Sequence, residues 1–473
     1  MNVLLIDFGS TYTKLRAVGT DPPRVLASGQ GPSTVTTDVT VGMDLAFADL
    51  EQRLGVLPEF DVRLACSSAA GGLRMVAVGL VRELTLEAAR QAALGAGARL
   101  VGSFAQRLTR ADVHAIVNCT PDILLLAGGT DGGNSDVIVA NAHALAESPL
   151  DCPVVVAGNR AVSDEVARCL TGSGKVSIVT ENVMADFGAL NIEPAREAIR
   201  KVFIERIVHA KGIDAAAERF DEVLMPTPAA VMEGARLLAE GSRDCAGLGP
   251  LVVVDVGGAT TDVHSVTEGD SAEGGVVRRG LPEPYVKRTV EGDLGVRHNA
   301  PSILRAAGAE DIAARAGLVP ERAVAMVDRW ARDAARLPES AEERRLDAAL
   351  ARAATRLAMK RHAGTIETVY TATGPVVVQY GKDLGDASSL VATGGVFAHG
   401  LNPVFALGGG LAHPDDPLSL RPRKPDLLLD SGYLLYAAGL LGSVDPRAAV
   451  RLLRDNLINL EERRNDGRSV AAS

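Results

Sequence analysis

Two short stretches of this 473-residue chain share an acidic, glycine-rich pattern that suits phosphate and metal chemistry. The first is VLLIDFGSTYTK at residues 3–14, and the second is LVVVDVGGATTD at residues 251–262. In each, an apolar run that predicts a strand leads into an aspartate, and a turn rich in glycine and hydroxyl side chains follows. Because one copy lies in each half of the chain, we expect two lobes that bind one phosphate chain from opposite sides.

Each residue type in this pattern can make a specific contribution to binding a phosphate group and its metal ion. A carboxylate at the end of a strand lies at the carboxyl edge of its sheet, where it can hold a hydrated Mg²⁺. Glycine lets the backbone approach a ligand, and the amides and hydroxyls of the turn can donate to phosphate oxygens. One copy alone is also typical of a plain hairpin turn, but two copies in matching order favour a ligand site.

The site residues predicted from the two copies fall into three groups. The predicted metal ligands, largely through water, are Asp7 and Asp255. The predicted catalytic residues are Asp7, Asp255 and Asp262, of which Asp255 or Asp262 would orient the attacking water. The predicted phosphate-binding residues are Gly9, Ser10, Thr11, Thr13 and Lys14 in the first turn and Gly257, Gly258, Thr260 and Thr261 in the second.

The composition limits the class of protein. A length of 473 residues exceeds one ordinary core, so at least two domains are expected. The net charge of −10 gives no electrostatic footprint for nucleic acid. No apolar run has the length of a signal peptide or a membrane span, so no membrane association is expected. The five cysteines are scattered without a CxxC pair, which favours reduced thiols in a cytoplasmic protein.

Short apolar runs alternate with alanine-rich segments along the chain, which predicts an α/β fold. The runs are apolar throughout, as expected for strands covered by helices on both faces. The predicted strands are Val3–Ile6, Leu15–Val18, Val62–Cys66, Ile123–Ala127, Val154–Ala157, Ser177–Val179 and Leu251–Asp255. The predicted helices are Leu84–Ala96, Asp136–Ala146, Ser163–Leu170, Glu193–His209, Pro228–Ala239 and Pro320–Leu337.

A loop-like stretch at 241–250 precedes the second signature and supplies the predicted boundary between a first lobe, 1–245, and a second lobe, 246–430. Residues from about 300 to 365 are predicted to form a helical subdomain in the second lobe, with a solvated, charge-paired surface. Residues 431–473 are predicted to form a helix that returns to the first lobe, followed by a polar tail.

Another glycine-rich loop, AGGTDGGN at residues 127–134, follows a predicted strand and precedes a predicted helix. Ligands of open α/β sheets bind at the carboxyl ends of the strands, so this loop is well placed to contact a nucleotide or a partner. A plain glycine-rich turn is the alternative interpretation.

The order of five features resembles the actin-like ATPase superfamily, which includes actin, sugar kinases and heat-shock chaperones. The two signatures match its phosphate loops, and residues 226–234 and 431–442 match its two connecting helices. The resemblance implies an α/β, ribonuclease H-like fold of two lobes with a helical insertion in the second, and ATP or ADP with Mg²⁺ as ligands. It also implies an adenosine loop with paired glycines, for which the predicted residues are Thr393, Gly394 and Gly395. A rival adenosine loop, at Gly408–Gly410, stays open.

Four stretches narrow the resemblance to one family: DFGSTYTK at 7–14, ACSSAAGGL at 65–73, AGGTDGG at 127–133 and EGDLGVR at 291–297. Together they are similar to the glutamate mutase accessory family, called MutL type and unrelated to the mismatch-repair protein of that name. This resemblance covers nearly the whole chain. It implies an ATP-dependent reactivating chaperone whose partners are the subunits of an adenosylcobalamin-dependent mutase, glutamate mutase or a related aminomutase. The chain lacks an Asp-x-His-x-x-Gly motif, so we do not expect it to hold cobalamin tightly itself.

Other functions on the same fold stay open. A small-molecule kinase would need a general base, and the sequence shows no clear one outside the phosphate loops. The stretch DVGGATTDV at 255–263 also resembles the phosphate loop of hydantoinase-like, ATP-dependent amidohydrolases. A nucleotide-gated scaffold that does not hydrolyse ATP is a further alternative function. The oligomeric state also stays open, and a homodimer is one possibility.

Overall fold

Strands and helices alternate along the chain, as the hydrophobic pattern predicts. The computed structural model describes residues 1–9, 12–34, 38–67, 73–205, 219–269, 275–334, 336–372 and 374–465. In the first 240 residues the strands are β1 (Asn2–Phe8), β2 (Tyr12–Thr20), β3 (Pro23–Pro32), β4 (Val62–Ser67), β5 (Leu73–Gly79), β6 (Ala98–Ala105), β7 (Ile123–Leu126), β8 (Val154–Val156), β9 (Ser177–Val179) and β10 (Glu222–Pro226). The helices there are α1 (Val39–Leu54), α2 (Glu87–Gly95), α3 (Arg110–Asn118), α4 (Asp136–Ala146), α5 (Ser163–Gly172), α6 (Glu193–Phe203) and α7 (Thr227–Glu240).

The remainder of the chain continues the alternation with a helical segment in its middle. Its strands are β11 (Gly241–Ser242), β12 (Cys245–Ala246), β13 (Leu251–Val256), β14 (Thr261–Val266), β15 (Val277–Arg279), β16 (Val286–Glu291), β17 (Thr365–Thr371), β18 (Gly374–Tyr380), β19 (Ser389–Thr393), β20 (Asp426–Leu429) and β21 (Ile458–Asn459). Its helices are α8 (Ala300–Ala307), α9 (Ala309–Ala316), α10 (Pro320–Arg332), α11 (Ala341–His362), α12 (Gly395–Ala398), α13 (Pro403–Leu407), α14 (Leu434–Leu441), α15 (Pro446–Asn456) and α16 (Leu460–Asn465).

Two of the sheets have the same strand order. In the first, β10-β4-β1-β2-β3, strands β1 to β3 are antiparallel neighbours, and β4 and β10 run parallel to β1. In the second, β16-β14-β13-β19-β20-β21, strands β13, β14 and β16 form the antiparallel part, and β19 and β20 run parallel to β13. Each signature therefore connects the central strand to its antiparallel neighbour. This repeated mixed sheet confirms the predicted α/β, actin-like fold class.

A third large sheet lies in the chain between β4 and β10. Its five strands are all parallel, in the order β6-β5-β7-β8-β9. One face packs against α2 and α6, and the other packs against α3, α4 and α5, so both faces carry a core of their own. The apolar strands β7, β8 and β9 were predictable from sequence, whereas their separation into an inserted sheet was not.

The chain divides into two compact units. The first comprises Met1–Val231, Gly280–Pro282 and Gly439–Ala448, and the second comprises Met232–Arg279, Glu283–Ala438 and Ala449–Ser473. The division passes through α7 and α14, which are the helices found where connecting helices are predicted. The predicted lobe boundary at 245–246 falls in the short β11–β12 hairpin, within the second unit.

Glycine allows close helix packing within each unit. In the first unit, a Cβ on Gly439 would lie 1.9 Å from the Ala230 carbonyl oxygen. In the second unit, a Cβ on Gly234 would lie 2.1 Å from the Leu435 carbonyl oxygen. Real Cβ atoms are not found so close to other heavy atoms, so any larger residue would push these backbones apart.

Helices α8 to α11 lie where the helical subdomain is predicted, at about 300–365, and their surface carries exposed ion pairs such as Arg322–Glu342. Their inner side is buried. Trp330 is fully buried, and the Arg297 guanidinium lies 5.3 Å from the centre of its ring. The same guanidinium donates to both oxygens of Asp347 on α11, at 2.5 and 3.2 Å. Helix α11 packs against β13 and β14 through its alanines, so these charges are partly buried ion pairs beside the core of the second unit.

Candidate functional site

The first signature forms the hairpin between β1 and β2. Asp7 and Lys14 are opposite each other in the ladder, and the Gly9 amide donates to the Tyr12 carbonyl oxygen at 3.1 Å. A Cβ on Gly9 would lie 2.5 Å from that oxygen, so the tight turn requires glycine. The predicted residues Ser10 and Thr11 lie outside the described residues.

The Asp7 carboxylate is almost completely buried and is held by three side chains. Thr227 donates its hydroxyl to Oδ1 at 2.6 Å, and the Lys14 ammonium lies 3.3 Å from Oδ2. The Cys66 thiol is 3.7 Å from Oδ1, and burial, together with the charge of Asp7, raises the pKa of this thiol well above its usual value. Strands β1, β4 and β10 are parallel, so they bring Asp7, Cys66 and Thr227 to one carboxyl edge.

Two buried hydroxyls at this edge have no hydrogen-bond partner among the residues described. They belong to Thr13 and Ser67, which lie on either side of Phe8 in neighbouring strands. An unpaired buried hydroxyl costs about 1–3 kcal/mol, a cost that a bound ligand or water can remove. Thr13 was predicted from the signature. Ser67 and Thr227 were not assigned a role, although both belong to stretches that the sequence singled out.

The second signature repeats this geometry in the hairpin between β13 and β14. The Gly257 amide donates to the Thr260 carbonyl oxygen at 2.9 Å, as Gly9 does to Tyr12 in the first signature. Here the residue opposite Asp255 in the ladder is Asp262. The backbone predicted from the sequence similarity is therefore present twice.

The stretch EGDLGVR and the two residues after it brace the second turn. The amides of Arg297 and His298 both donate to the Gly258 carbonyl oxygen, at 3.0 and 2.9 Å. The Asn299 side chain donates to the Ala259 carbonyl oxygen at 2.8 Å. A Cβ on Gly295 would lie 2.2 Å from the Ala259 carbonyl carbon, so glycine is required for this contact.

The hydroxyl and acid groups of the second turn have partners inside the protein. The Thr261 hydroxyl is buried and donates to the Leu294 carbonyl oxygen at 2.7 Å, whereas Thr260 donates to Asp262 at 3.0 Å. The Arg288 guanidinium donates to Asp262 through two nitrogens, at 2.9 and 2.6 Å. This ion pair fixes the orientation of Asp262, and it was not predictable from the sequence because Arg288 lies on a separate strand.

Of the two glycine pairs considered for adenosine, only the first lies beside a signature. Thr393 is opposite Asp255 in the parallel ladder of β13 and β19. A Cβ on Gly394, whose φ is +106°, would lie 2.9 Å from Asp255 Oδ1. In contrast, a Cβ on Gly409 would lie 2.4 Å from the Arg352 carbonyl oxygen, so Gly408–Gly410 serves packing against α11.

Each signature carries a strand-end carboxylate of the kind that can contact a hydrated metal ion, Asp7 in the first unit and Asp255 in the second. Among the described residues, no group of three or more His, Cys, Asp or Glu side chains could hold a metal by itself. Mg²⁺ bound to phosphates keeps several waters and needs only one or two protein carboxylates. Each hairpin has one such carboxylate before a turn that a glycine amide closes.

Near the second signature, His264 on β14 is a buried titrating group. Burial lowers the pKa of His264 from 6.5 to about 3, and the nearby Arg288 charge acts in the same direction. Because the unfolded chain binds this proton below pH 6.5 and the folded chain does not, folding free energy is lost as the pH falls. The loss approaches about 1.4 kcal/mol per pH unit per histidine.

We therefore expect His264→Leu to reduce the pH dependence of stability between pH 6 and pH 4, because it removes one such proton. Urea unfolding at pH 7, 6, 5 and 4 measures this. His114→Leu, an exposed histidine on α3, is the matched control and should leave the slope unchanged. An identical slope in His264→Leu and the wild-type protein would contradict the assignment. The buried His362, whose pKa burial also lowers, accounts for part of the remaining slope.

Among the helices described, none is long and apolar enough to cross a membrane.

Comparison with known proteins identifies close relatives by sequence. The family model described as "MutL protein" matches residues 3–457. Protein MutL from Clostridium tetanomorphum is 46% identical over 458 residues, which is 97% of this chain and 99% of that protein.

Similarity to solved structures is much weaker. The ROK hexokinase of Thermus thermophilus is 13% identical with a TM-score of 0.27, over 96% of this chain and 99% of that one. The xylulose kinase of Bifidobacterium adolescentis is 13% identical with a TM-score of 0.30, over 95% and 93%. Likenesses at this level support no argument about activity. The two sequence matches, in contrast, confirm the family predicted from the four stretches: this chain belongs to the MutL protein family.

Proposed function

We propose that this protein binds Mg·ATP with its two signatures, hydrolyses it, and uses the nucleotide cycle to reactivate an adenosylcobalamin-dependent mutase. The observation that carries the proposal is the repeated hairpin, in which an aspartate precedes a turn closed by a glycine amide. Phosphate would contact the turn residues Gly9, Ser10, Thr11, Thr13 and Lys14, together with Gly257, Gly258, Thr260 and Thr261. Adenosine would contact Thr393, Gly394 and Gly395.

Catalysis by such a site would rest on positioning and charge. Mg²⁺, when bound, supplies positive charge to the phosphate oxygens. Asp7 would hold its water shell, since Thr227 and Lys14 fix the orientation of this carboxylate. Asp255 or Asp262 would orient the attacking water, and Arg288 fixes the orientation of the Asp262 carboxylate.

The proposal that a mutase is the partner rests on family membership rather than on the geometry of the site. The resemblance of this chain to the glutamate mutase accessory family implies that its partner is glutamate mutase or a related aminomutase in the cytoplasm. A conformational change driven by the bound nucleotide would release damaged cobalamin from that mutase. The free state of all five cysteines agrees with that compartment.

The test mixes glutamate mutase inactivated by turnover, fresh adenosylcobalamin, ATP, Mg²⁺ and this protein. We expect mutase activity to recover, and recovery to fall to the ATP-free level with Asp255→Asn. Asp426→Asn, an exposed aspartate at the start of β20, is the matched control and should support full recovery.

Two outcomes separate the parts of the proposal. ATP hydrolysis without recovery would retain the nucleotide site and remove the mutase role. Hydrolysis that requires an added metabolite hydroxyl, with transfer of phosphate to it, would favour a kinase.

A further inference from the structure

The inserted parallel sheet has a switch point that the proposed nucleotide site does not use. Strand β5 is central: the chain leaves it for β6 on one side and later returns to β7 on the other. The connection after β5 leads to α2 on one face, and the loop after β7 leads to α4 on the opposite face. Two turns that diverge in this way leave a crevice at the carboxyl edge, which is where ligands of open α/β sheets bind.

The loop after β7 presents three consecutive amides to this edge. The backbone N–H groups of Gly128, Gly129 and Thr130 have no acceptor among the described residues, and the two glycines are buried. Almost all buried backbone amides in proteins have a partner. A row of unpaired amides in a loop with positive-φ glycines, here +153° and +72°, forms a concave donor surface for an anion.

Glycine is required around these amides for steric reasons. A Cβ on Gly129 would lie 2.1 Å from the Asn134 carbonyl oxygen. On the neighbouring strand end, a Cβ on Gly158 would lie 2.9 Å from the Gly128 amide nitrogen. The same Cβ would lie 2.4 Å from Ile138 Cδ1, so glycine at position 158 lets this segment pack closely against both the loop and α4.

Two buried asparagines hold the loop in place without using these amides. Asn159 accepts from the Gly132 amide at 3.0 Å, and Asn182 donates to the Gly129 carbonyl oxygen at 3.0 Å. Asn182 also donates to Asp131 at 2.9 Å, so that carboxylate has a partner. The donor surface is thus formed in advance, which lowers the entropy cost of binding.

Exposed arginines follow three of the five strands at this edge. Arg82 follows β5, Arg107 follows β6 and Arg160 follows β8. Arg160 lies 3.6 Å from Asp131 with a side chain 84% exposed, so this pair leaves the guanidinium accessible to an anion. The acidic side chains in the loop and on the segments next to it are Asp131, Asp136, Glu181 and Asp186, together with the exposed Glu83 after β5, so the attraction for an anion comes from the local amides and Arg160 rather than from the net charge of the edge.

We propose that the carboxyl edge of the parallel sheet, at the turns after β5 and β7, binds the phosphate group of a small phosphorylated ligand. The amides of Gly128, Gly129 and Thr130 contact the phosphate oxygens, and Arg160 supplies the countercharge. This site uses no residue of either signature, and binding there does not depend on ATP hydrolysis.

Calorimetric titration of the full chain with inorganic pyrophosphate, in saturating Mg·ADP, tests this. We expect one binding event that Arg160→Glu weakens at least about tenfold, since it replaces an attractive charge by a repulsive one. Arg168→Glu, an exposed arginine on α5, is the matched control with the same charge change and should bind as the wild-type protein does. Thr130→Pro removes one amide donor and should also weaken binding, provided its thermal unfolding midpoint is retained.

Absence of pyrophosphate binding, or an equal loss in the two arginine variants, would overturn the proposal. Titrations with AMP and with a phosphorylated sugar then distinguish a nucleotide from a sugar phosphate, because the additional contacts of the natural ligand should increase affinity over pyrophosphate. Retained ATP hydrolysis in Arg160→Glu would separate this site from the one proposed above.

Discussion

Asp7→Asn is expected to lower the rate of ATP hydrolysis at least about 100-fold, the range seen when one preorganised electrostatic contact is lost. The asparagine oxygen can still accept the Thr227 hydroxyl, so the side chain should keep its orientation. What is lost is the negative charge that would hold the water shell of Mg²⁺. Phosphate release at saturating Mg·ATP measures the effect.

This variant also breaks the ion pair between the buried Asp7 carboxylate and Lys14, which is destabilising, so thermal unfolding is measured beside the rate to confirm that the variant is folded under the assay conditions. Asp164→Asn, an exposed aspartate on α5 in the same unit, provides the control and should hydrolyse ATP normally. If Asp7→Asn and Asp255→Asn both bind and hydrolyse Mg·ATP normally, the signatures are not the nucleotide site.

Gly394→Ala is expected to raise the Kd for nucleotide at least about 100-fold, since the proposed contacts of Gly394 and Asp255 with the nucleotide both lie at this edge. The new Cβ would lie 2.5 Å from the Val256 carbonyl oxygen and 2.9 Å from Asp255 Oδ1, so the carboxylate must move. Stability should also fall by about 2–4 kcal/mol, from overpacking together with the strain of a positive φ. Fluorescent-nucleotide titration and urea unfolding measure the two effects.

Gly374→Ala separates the effect of backbone strain from the effect of a steric clash beside Asp255. Gly374 has a φ of +121°, close to the +106° of Gly394, but a Cβ there would meet no atom within 4 Å. It should therefore lose only about 1 kcal/mol and bind nucleotide normally. Equal nucleotide affinity in both alanine variants would mean that adenosine lies elsewhere.

Continuous apolar residues predicted β1, β4, β7, β8, β9 and β13, whereas β5, β18 and β20 were not predicted although their apolar runs are also continuous. β9 and α4 have the predicted bounds, and β4 and β13 are each one residue longer than predicted. The antiparallel partners β14 and β16 were not predicted, because His264 and Arg288 interrupt their hydrophobic pattern. Those side chains are buried by tertiary contacts with Asp262 and its surroundings, which no local pattern records.

The backbone of the candidate site was more predictable than its side-chain partners. Glycine after aspartate reflects a local steric need, visible in a single stretch, as Gly9 and Gly257 illustrate. Thr227, in contrast, reaches Asp7 across 220 positions of sequence. Its contact depends on the parallel arrangement of β1, β4 and β10, which composition and spacing do not determine.

The two hairpins share a backbone but differ in one charge. The residue opposite the aspartate is Lys14 in the first and Asp262 in the second. The first hairpin therefore presents a cation and an anion side by side, whereas the second presents two carboxylates, one of them neutralised by Arg288. The two signatures thus differ in the charge that lies opposite their aspartate. The two turns are not interchangeable, because an anion bound beside Lys14 would meet a cation, whereas one bound beside Asp262 would meet a second carboxylate.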